Sequence, residues 1–154
     1  MRAFITAISL SIITACSGCA TLSGGQDQYF VCSYDLVWET ALESVKDRPI
    51  TVQDKDKGLI ETGWVEMKGK DRPYGIFGRE GFGNRERARM TLALKKQDDV
   101  TAVNVLETRQ RWHARGGVTQ QATKWWPIEP SVEAMTAALT RLNTKLQEKG
   151  CSPT

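Results

Sequence analysis

The chain has 154 residues, of which 40% are hydrophobic and 25% charged, and its formal net charge is +3. This length suits one domain with a single packed core. The small net charge argues against a nucleic acid as the main partner, and the single histidine, with no recurring Cys-X-X-Cys pair beside histidines, argues against a zinc site. Positive charge is nevertheless concentrated, because residues 68–89 hold seven Lys and Arg against three Asp and Glu.

The first fifteen residues, MRAFITAISLSIITA, have the layout of a signal peptide, in which a positive start precedes an uncharged apolar stretch. This stretch is too short to cross a bilayer, which needs about 20 apolar residues. Its last residues Ile13, Thr14 and Ala15, together with Cys16, resemble the bacterial lipobox. By that resemblance Cys16 becomes the mature N-terminus and carries a diacylglycerol and a further acyl chain.

The anchor leads to further expectations. Ser17, rather than an aspartate, follows Cys16, and in lipoproteins of enteric bacteria this resemblance favours the outer membrane, with the domain facing the periplasm. Cys19 is the rival lipidation site, and a buried N-terminal helix is the alternative to a signal peptide. The predicted division of the chain is a lipoprotein signal peptide at 1–15, a lipid anchor and flexible tether at 16–30, and a folded domain at 31–152.

The first predicted element of the domain is a helix that begins after Ser33, a favourable N-cap. Asp35 suits the positive end of the helix dipole, and Pro49 ends the helix. Apolar residues recur at helical spacing, so one face of this helix must cover another element. They are Tyr34, Val37, Trp38, Ala41, Leu42 and Val45.

Residues 50–66 are predicted to form two strands, joined by a turn in which Gly58 adopts a positive φ. Residues 67–84 break this pattern with five glycines and a proline, and they are predicted to form a long irregular loop. Phe77 and Phe82 lie in this loop and are candidates for partner binding.

A second hairpin is predicted from residues 85–96 and 100–112, because both segments alternate apolar and polar residues. Residues 114–128 are predicted to be irregular. The hairpin carries five arginines that are candidates for binding an anionic partner: Arg85, Arg87, Arg89, Arg109 and Arg111.

A final helix is predicted after Pro130, with an apolar stripe at helical spacing. The order helix, four strands, helix predicts an α+β fold: a single four-stranded antiparallel sheet with the N-terminal and C-terminal helices packed on one face. An antiparallel sheet can leave its other face in water, and that face is predicted to carry Arg85, Arg87 and Arg89. The stripe of the final helix consists of Val132, Met135, Leu139, Leu142 and Leu146.

Two segments, YDLVWETALESV and ITVQDKDKGLIETGW, resemble the NlpB/BamC-like family of lipoproteins, which are related to the C component of the outer-membrane β-barrel assembly machine. The resemblance covers residues 33–64 and, more loosely, the second hairpin and the final helix. It depends on Trp38, Gly58 and Trp64, which are packing positions. It implies the family's helix-grip fold and a role as an assembly accessory, and it implies no reaction.

Three cysteines remain if Cys16 is lipidated, and an exported chain meets an oxidising compartment in which they can pair. Cys32 lies just before the first helix and Cys151 just after the last. If the two helices pack antiparallel, these ends meet, and we predict a Cys32–Cys151 disulfide with Cys19 left unpaired. The alternatives are a Cys19–Cys32 pair or three reduced cysteines.

The sequence contains no pattern that indicates catalysis. His113 is the only histidine, and no nucleophile, spaced carboxylate pair or metal cluster accompanies it in the sequence. We therefore expect a non-catalytic envelope protein with no cofactor apart from its covalent lipid, acting as an assembly, scaffolding or accessory module. Its expected partner is an envelope protein or an anionic envelope component, not a nucleic acid. The alternative is a periplasmic lipoprotein that binds a small ligand or lipid in a groove between sheet and helices.

Overall fold

The structure, a computed structural model, describes residues 24–69, 85–113 and 124–154. This part of the chain forms eight strands and two helices. They are β1 (Gln26–Val31), α1 (Tyr34–Ser44), β2 (Ile50–Asp54), β3 (Leu59–Thr62), β4 (Val65–Lys68), β5 (Arg85–Gln97), β6 (Val100–His113), β7 (Lys124–Ile128), α2 (Val132–Glu148) and β8 (Ser152–Pro153).

All eight strands belong to one antiparallel sheet. Its order is β2-β3-β5-β6-β1-β8, while β4 pairs with the start of β5 and β7 with the end of β6. The prediction of a four-stranded sheet is therefore wrong, although the broader α+β class fits. Strands β5 and β6 form the predicted long hairpin, and both helices pack against the same face of it.

The strand β1 was missed because its helix-facing side is mostly polar. Gln26, Gln28 and Phe30 pair with β6 residues on the helix-covered face, but only Phe30 is apolar. Phe30 is fully buried in the core. The segment predicted as a flexible tether up to residue 30 is thus partly a strand, and the described fold includes Gln26 and the residues after it.

The strands β7 and β8 were also absent from the prediction. The strand β7 lies within the segment that we expected to be irregular. Its Pro127 is compatible with a strand because, among the described strands, β7 pairs with β6 alone. The strand β8 is two residues long, and Pro153 pairs with Phe30 of β1. Such short additions at a sheet edge have no periodicity that a sequence could reveal.

The predicted second strand of the first hairpin is divided into β3 and β4 by one extra residue. Glu61 pairs with Thr91, and Val65 pairs with Ala88. The chain therefore advances four residues from Glu61 to Val65 while β5 advances only three. Such a bulge reverses which face the following side chains occupy. As a result Val65 joins the helix-covered face, and Trp64 lies against arginines of the open face.

The helices α1 and α2 pack antiparallel. Ser33 and Ser131 cap their N-termini by accepting hydrogen bonds from the backbone N–H groups of Leu36 and Ala134. Glu43 of α1 pairs with Lys145 at 2.6 Å and with Lys149 at 3.2 Å. Hydrogen bonds from these two ammonium groups lower the pKa of Glu43 to about 2.

The core lies between the helices and the hairpin, and a disulfide closes one end of it. Cys32 and Cys151 are bonded, with their Cα atoms 5.6 Å apart, so the predicted pairing is confirmed. Of the predicted stripe on α2, all but Val132 are buried. The largest fully buried apolar side chains are Trp38, Phe30, Ile60, Leu92, Leu142 and Leu146.

We expect Gly58→Ala to lower the free energy of unfolding by about 2–4 kcal/mol, by combining strain with a clash. Gly58 has a φ of +65°, as predicted, and a Cβ atom there would lie 2.0 Å from the carbonyl oxygen of Leu94. That contact is fixed, because the Leu94 N–H donates to the Gly58 carbonyl at 2.7 Å. Urea unfolding of the variant measures the loss.

Gly150→Ala is the matched control for Gly58→Ala. Gly150 has a φ of +82°, but a Cβ atom there would meet nothing within 4 Å. This variant experiences the backbone strain alone and should lose about 1 kcal/mol. Equal losses in the two variants would contradict the close approach at Gly58.

Candidate functional site

Aromatic and basic side chains cover the open face of the sheet at one end of the β5–β6 hairpin. This end lies away from the β5–β6 turn, where β4 and β7 flank the hairpin. The bulge between β3 and β4 adds Trp64, and alternation along each strand provides the others. We call these residues the tryptophan–arginine surface: Trp64, Arg85, Arg87, Arg89, Gln110, Trp112 and Trp125.

Arg87 lies at the centre of this surface. Its guanidinium carbon is 4.4 Å from the ring centroid of Trp64 and 4.4 Å from that of Trp125, so it is sandwiched between two indoles. Its Nε and Nη2 both donate to Gln110 Oε1, at 2.9 and 2.6 Å. A planar guanidinium stacks on aromatic rings while its edge donates hydrogen bonds, which an ammonium group does less well.

Arg85 and Arg89 extend the tryptophan–arginine surface on either side of Arg87. Arg85 lies 5.9 Å from the ring centroid of Trp125 and forms an ion pair with Glu66. Arg89 lies 5.0 Å from the ring centroid of Trp64 and forms an ion pair with Glu61. Each of these charges is thus matched by a carboxylate.

Arg87 differs from its neighbours because it forms no ion pair with a carboxylate among the described residues. The tryptophan–arginine surface therefore keeps a net positive charge even after its two ion pairs are counted.

The tryptophans of this surface are only half-buried. Trp112 and Trp125 are opposite each other in β6 and β7, with ring centroids 5.3 Å apart in an edge-to-face arrangement. Arg85 is the most accessible of the three arginines on this surface, with 58% of its side chain exposed, against 34% for Arg89. The surface thus presents apolar rings and guanidinium groups together, which suits a ligand that has both apolar and anionic parts.

The five candidate arginines do not form one patch. Arg87 pairs with Gln110 across the hairpin, so the adjacent Arg109 and Arg111 point to the opposite, helix-covered face. Arg85, Arg87 and Arg89 do lie on the face away from the helices, as predicted. However, Arg87 and Arg89 are half-buried and not freely solvated.

Arg109 and Arg111 instead hold two buried carboxylates. Glu107 is 1% exposed and accepts from Arg109 Nε and Nη2, both at 3.2 Å. Its Oε2 also accepts from the backbone N–H of Ser131 at 2.6 Å, which fixes the residue that caps α2. Glu86, 4% exposed, accepts from Arg111 at 3.0 and 2.5 Å. This Glu86–Glu107 cluster anchors α2 to the hairpin.

A small cavity lies between the end of α1, the helix α2 and β5. Its volume is about 120 Å³. Pockets for drug-sized ligands measure about 300–1,000 Å³, so this cavity is too small for such a molecule. Its lining consists of Ser44, Val45, Asp47, Arg48, Met90, Ala134, Ala137, Ala138 and Arg141.

Three of the remaining candidate residues lie outside the part of the chain that the structure describes: Cys16, Phe77 and Phe82. His113 is the last residue of β6. Within residues 24–69, 85–113 and 124–154, no group of three or more His, Cys, Asp and Glu side chains is placed to hold a metal ion. No helix in the same ranges is long and apolar enough to cross a membrane.

The aromatic half of the site was missed by the sequence reasoning. The sequence predicts a packing position for Trp64 and places Trp125 in an irregular segment. The sequence does indicate part of the missed set, since Gln110 and Trp112 alternate with Arg109 and Arg111 along a predicted strand. Alternation places them on the other face, the face that carries Arg87.

No protein-family model matches the chain, and no curated protein matches it either.

Proposed function

We propose that the protein is a non-catalytic, lipid-anchored protein of the bacterial cell envelope that acts as an accessory or scaffolding module, with its domain in the periplasm at the outer membrane. The lipobox-like residues Ile13–Cys16 after an uncharged stretch support the anchor. The Cys32–Cys151 disulfide supports export, because such bonds persist in oxidising compartments. The relation to the NlpB/BamC-like family is part of this proposal and is based on residues 33–64.

The observation that carries the binding role is the tryptophan–arginine surface. Trp and Arg are the residue types that most often dominate binding interfaces. Here they are stacked and hydrogen-bonded into one arrangement before any partner arrives, so little side-chain entropy remains to be lost on binding. The alternative role, binding a small molecule between sheet and helices, has less support because the cavity that the described residues form there measures only about 120 Å³.

We expect Cys16→Ala to release the protein from membranes or to leave it as an unprocessed precursor. The reason is that the acyl chains on one cysteine supply the stable attachment, and no other covalently lipidated residue is proposed. Membrane fractionation with immunoblotting measures both outcomes. Cys19→Ala is the matched control and should remain processed and membrane-bound. The reverse pattern would assign the anchor to Cys19. If both variants were still processed and membrane-bound, a lipid anchor at either residue would be contradicted.

A photo-crosslinking amino acid introduced at Thr108 tests the binding role in living cells. Thr108 is opposite Arg89 in the hairpin and so lies on the open face. Thr140, exposed on α2, is the matched control on the opposite side of the domain. The proposal expects crosslinks to envelope components from Thr108 and none in common with Thr140. Identical crosslinks from both positions would contradict a specific role for the open face.

A further inference from the structure

We infer that the partner of the tryptophan–arginine surface is the phosphate-bearing surface of the membrane to which the protein is anchored, so that the open face of the sheet lies against the lipid headgroups. This inference rests on the proposed lipid anchor. It adds a second membrane contact to the covalent lipid, and it leaves the helix side of the domain turned away from the bilayer.

The chemistry of the surface matches a membrane interface. Trp is enriched at the level of the lipid headgroups because its ring is apolar while its N–H remains hydrated. Arg side chains place an apolar stem among apolar groups and a guanidinium beside phosphate oxygens. Trp64, Trp112 and Trp125 are half-buried and interleaved with Arg85 and Arg87, so both kinds of group face outward together.

Charge also favours an anionic membrane surface. Arg85 and Arg89 are matched by Glu66 and Glu61, while Arg87 adds positive charge without an ion pair among the described residues. Each Lys or Arg near an anionic bilayer contributes about a fivefold gain in binding. The attraction decays within about 10 Å at moderate salt, so it acts only when the surface is held close to the bilayer.

The length of chain before the domain provides that proximity. Gln26 begins β1 beside Val105, and because β1 is antiparallel to β6, Gln26 is the β1 residue nearest to the end of β6 that carries Trp112. The seven residues from Val105 to Trp112 advance by about 24 Å along the strand. The ten residues from Cys16 to Gln26 reach at most about 36 Å. The anchored tether thus allows the tryptophan–arginine surface to touch the same bilayer.

Tryptophan fluorescence of the mature, lipidated protein in vesicles tests this inference. One set of vesicles is phosphatidylcholine, and the other contains phosphatidylglycerol as well. Both carry lipids brominated near the interface, which quench tryptophans that touch them. We expect strong quenching with the anionic vesicles at low salt, and weaker quenching with neutral vesicles or at high salt. The unquenched remainder should come from Trp38, which is fully buried in the core, and from Trp126, which pairs with Arg111 on the helix-covered face.

Arg85→Gln should reduce the ratio of docked to undocked protein about fivefold on anionic vesicles. Arg141→Gln is the matched control on α2, because Arg141 also pairs with a carboxylate, Asp47, and 50% of its side chain is exposed. It should behave like the unmodified protein. Thermal unfolding of both variants verifies that they fold.

Flotation with the vesicles separates the anchor from the second contact. Protein that floats with both vesicle types but shows no lipid-dependent quenching would overturn the inference while leaving the anchor intact. Crosslinks from Thr108 to a protein in cells, together with that result, would identify an envelope protein as the occupant. Protein that floats only with anionic vesicles would contradict the anchor and support the surface, and protein that floats with neither would overturn both.

Discussion

Replacing both Cys32 and Cys151 by serine is expected to lower the free energy of unfolding by about 4–5 kcal/mol. The two cysteines are separated by 119 residues along the chain, and they join the start of α1 to the segment after α2. A crosslink that closes so long a loop restricts the unfolded chain strongly in the chain-entropy model. A domain of this size has a total stability of roughly 5–15 kcal/mol, so the loss is a large part of the whole.

Denaturant unfolding of the double variant, compared with the unmodified protein with and without a reductant, measures this contribution. The reduced unmodified protein should unfold close to the double variant. Cys19→Ser is the matched control, since it removes a thiol that we predict to be unpaired, and its stability should be unchanged. A loss in the Cys19 variant as large as that in the double variant would show that Cys19 takes part in the pairing.

The sequence predicted those parts of the fold that have a clear period. The stripe of α1 and the alternation of β5 were assigned correctly, because each places apolar residues on one face over several turns or residue pairs. The disulfide was predicted from topology, since antiparallel helices bring Cys32 to Cys151. In each case, the pattern within a short segment is enough to indicate how that segment packs against the rest of the fold.

The strands that were missed have no such pattern. The strand β1 alternates Gln26, Gln28 and Phe30 on its helix-facing side, and two glutamines hide the period. The bulge before β4 changes the parity of the chain by one residue, so Trp64 appears as a core position in the sequence and lies on the open face in the structure. The register of β4 is not visible in its own sequence, because only the pairing of β4 with β5 determines it.

The sequence predicts only the arginine part of the candidate site. The reason is again that alternation within one strand is visible in the sequence, while the register between strands is not. Arg85, Arg87 and Arg89 were placed on the open face from the alternation of β5. Grouping them with Arg109 and Arg111 ignored that those two residues pair with the helix-facing positions Ala88 and Glu86. Buried carboxylates at the same end of the sheet explain why these two arginines are needed on that face.

Glu107→Gln is expected to lower the free energy of unfolding by about 3 kcal/mol. The substitution keeps the size of the side chain but leaves Arg109 facing a neutral amide, and removing one partner from a buried ion pair costs about 3–5 kcal/mol. The lower value applies because Arg109 retains a second contact, with Glu86 at 3.4 Å. The Gln side chain can still accept from Ser131 N–H, so α2 should remain in place while the pair itself is lost.

Glu66→Gln is the matched control, because it makes the same chemical change in the ion pair with Arg85, where 51% of the Glu66 side chain and 58% of the Arg85 side chain are exposed. An exposed pair contributes about 0–1 kcal/mol, so this variant should unfold nearly as the unmodified protein does. Urea unfolding of the two variants side by side provides the comparison. Equal, small losses would mean that solvent reaches Glu107, and that α2 is held to the hairpin by apolar packing alone and not by the Glu86–Glu107 cluster.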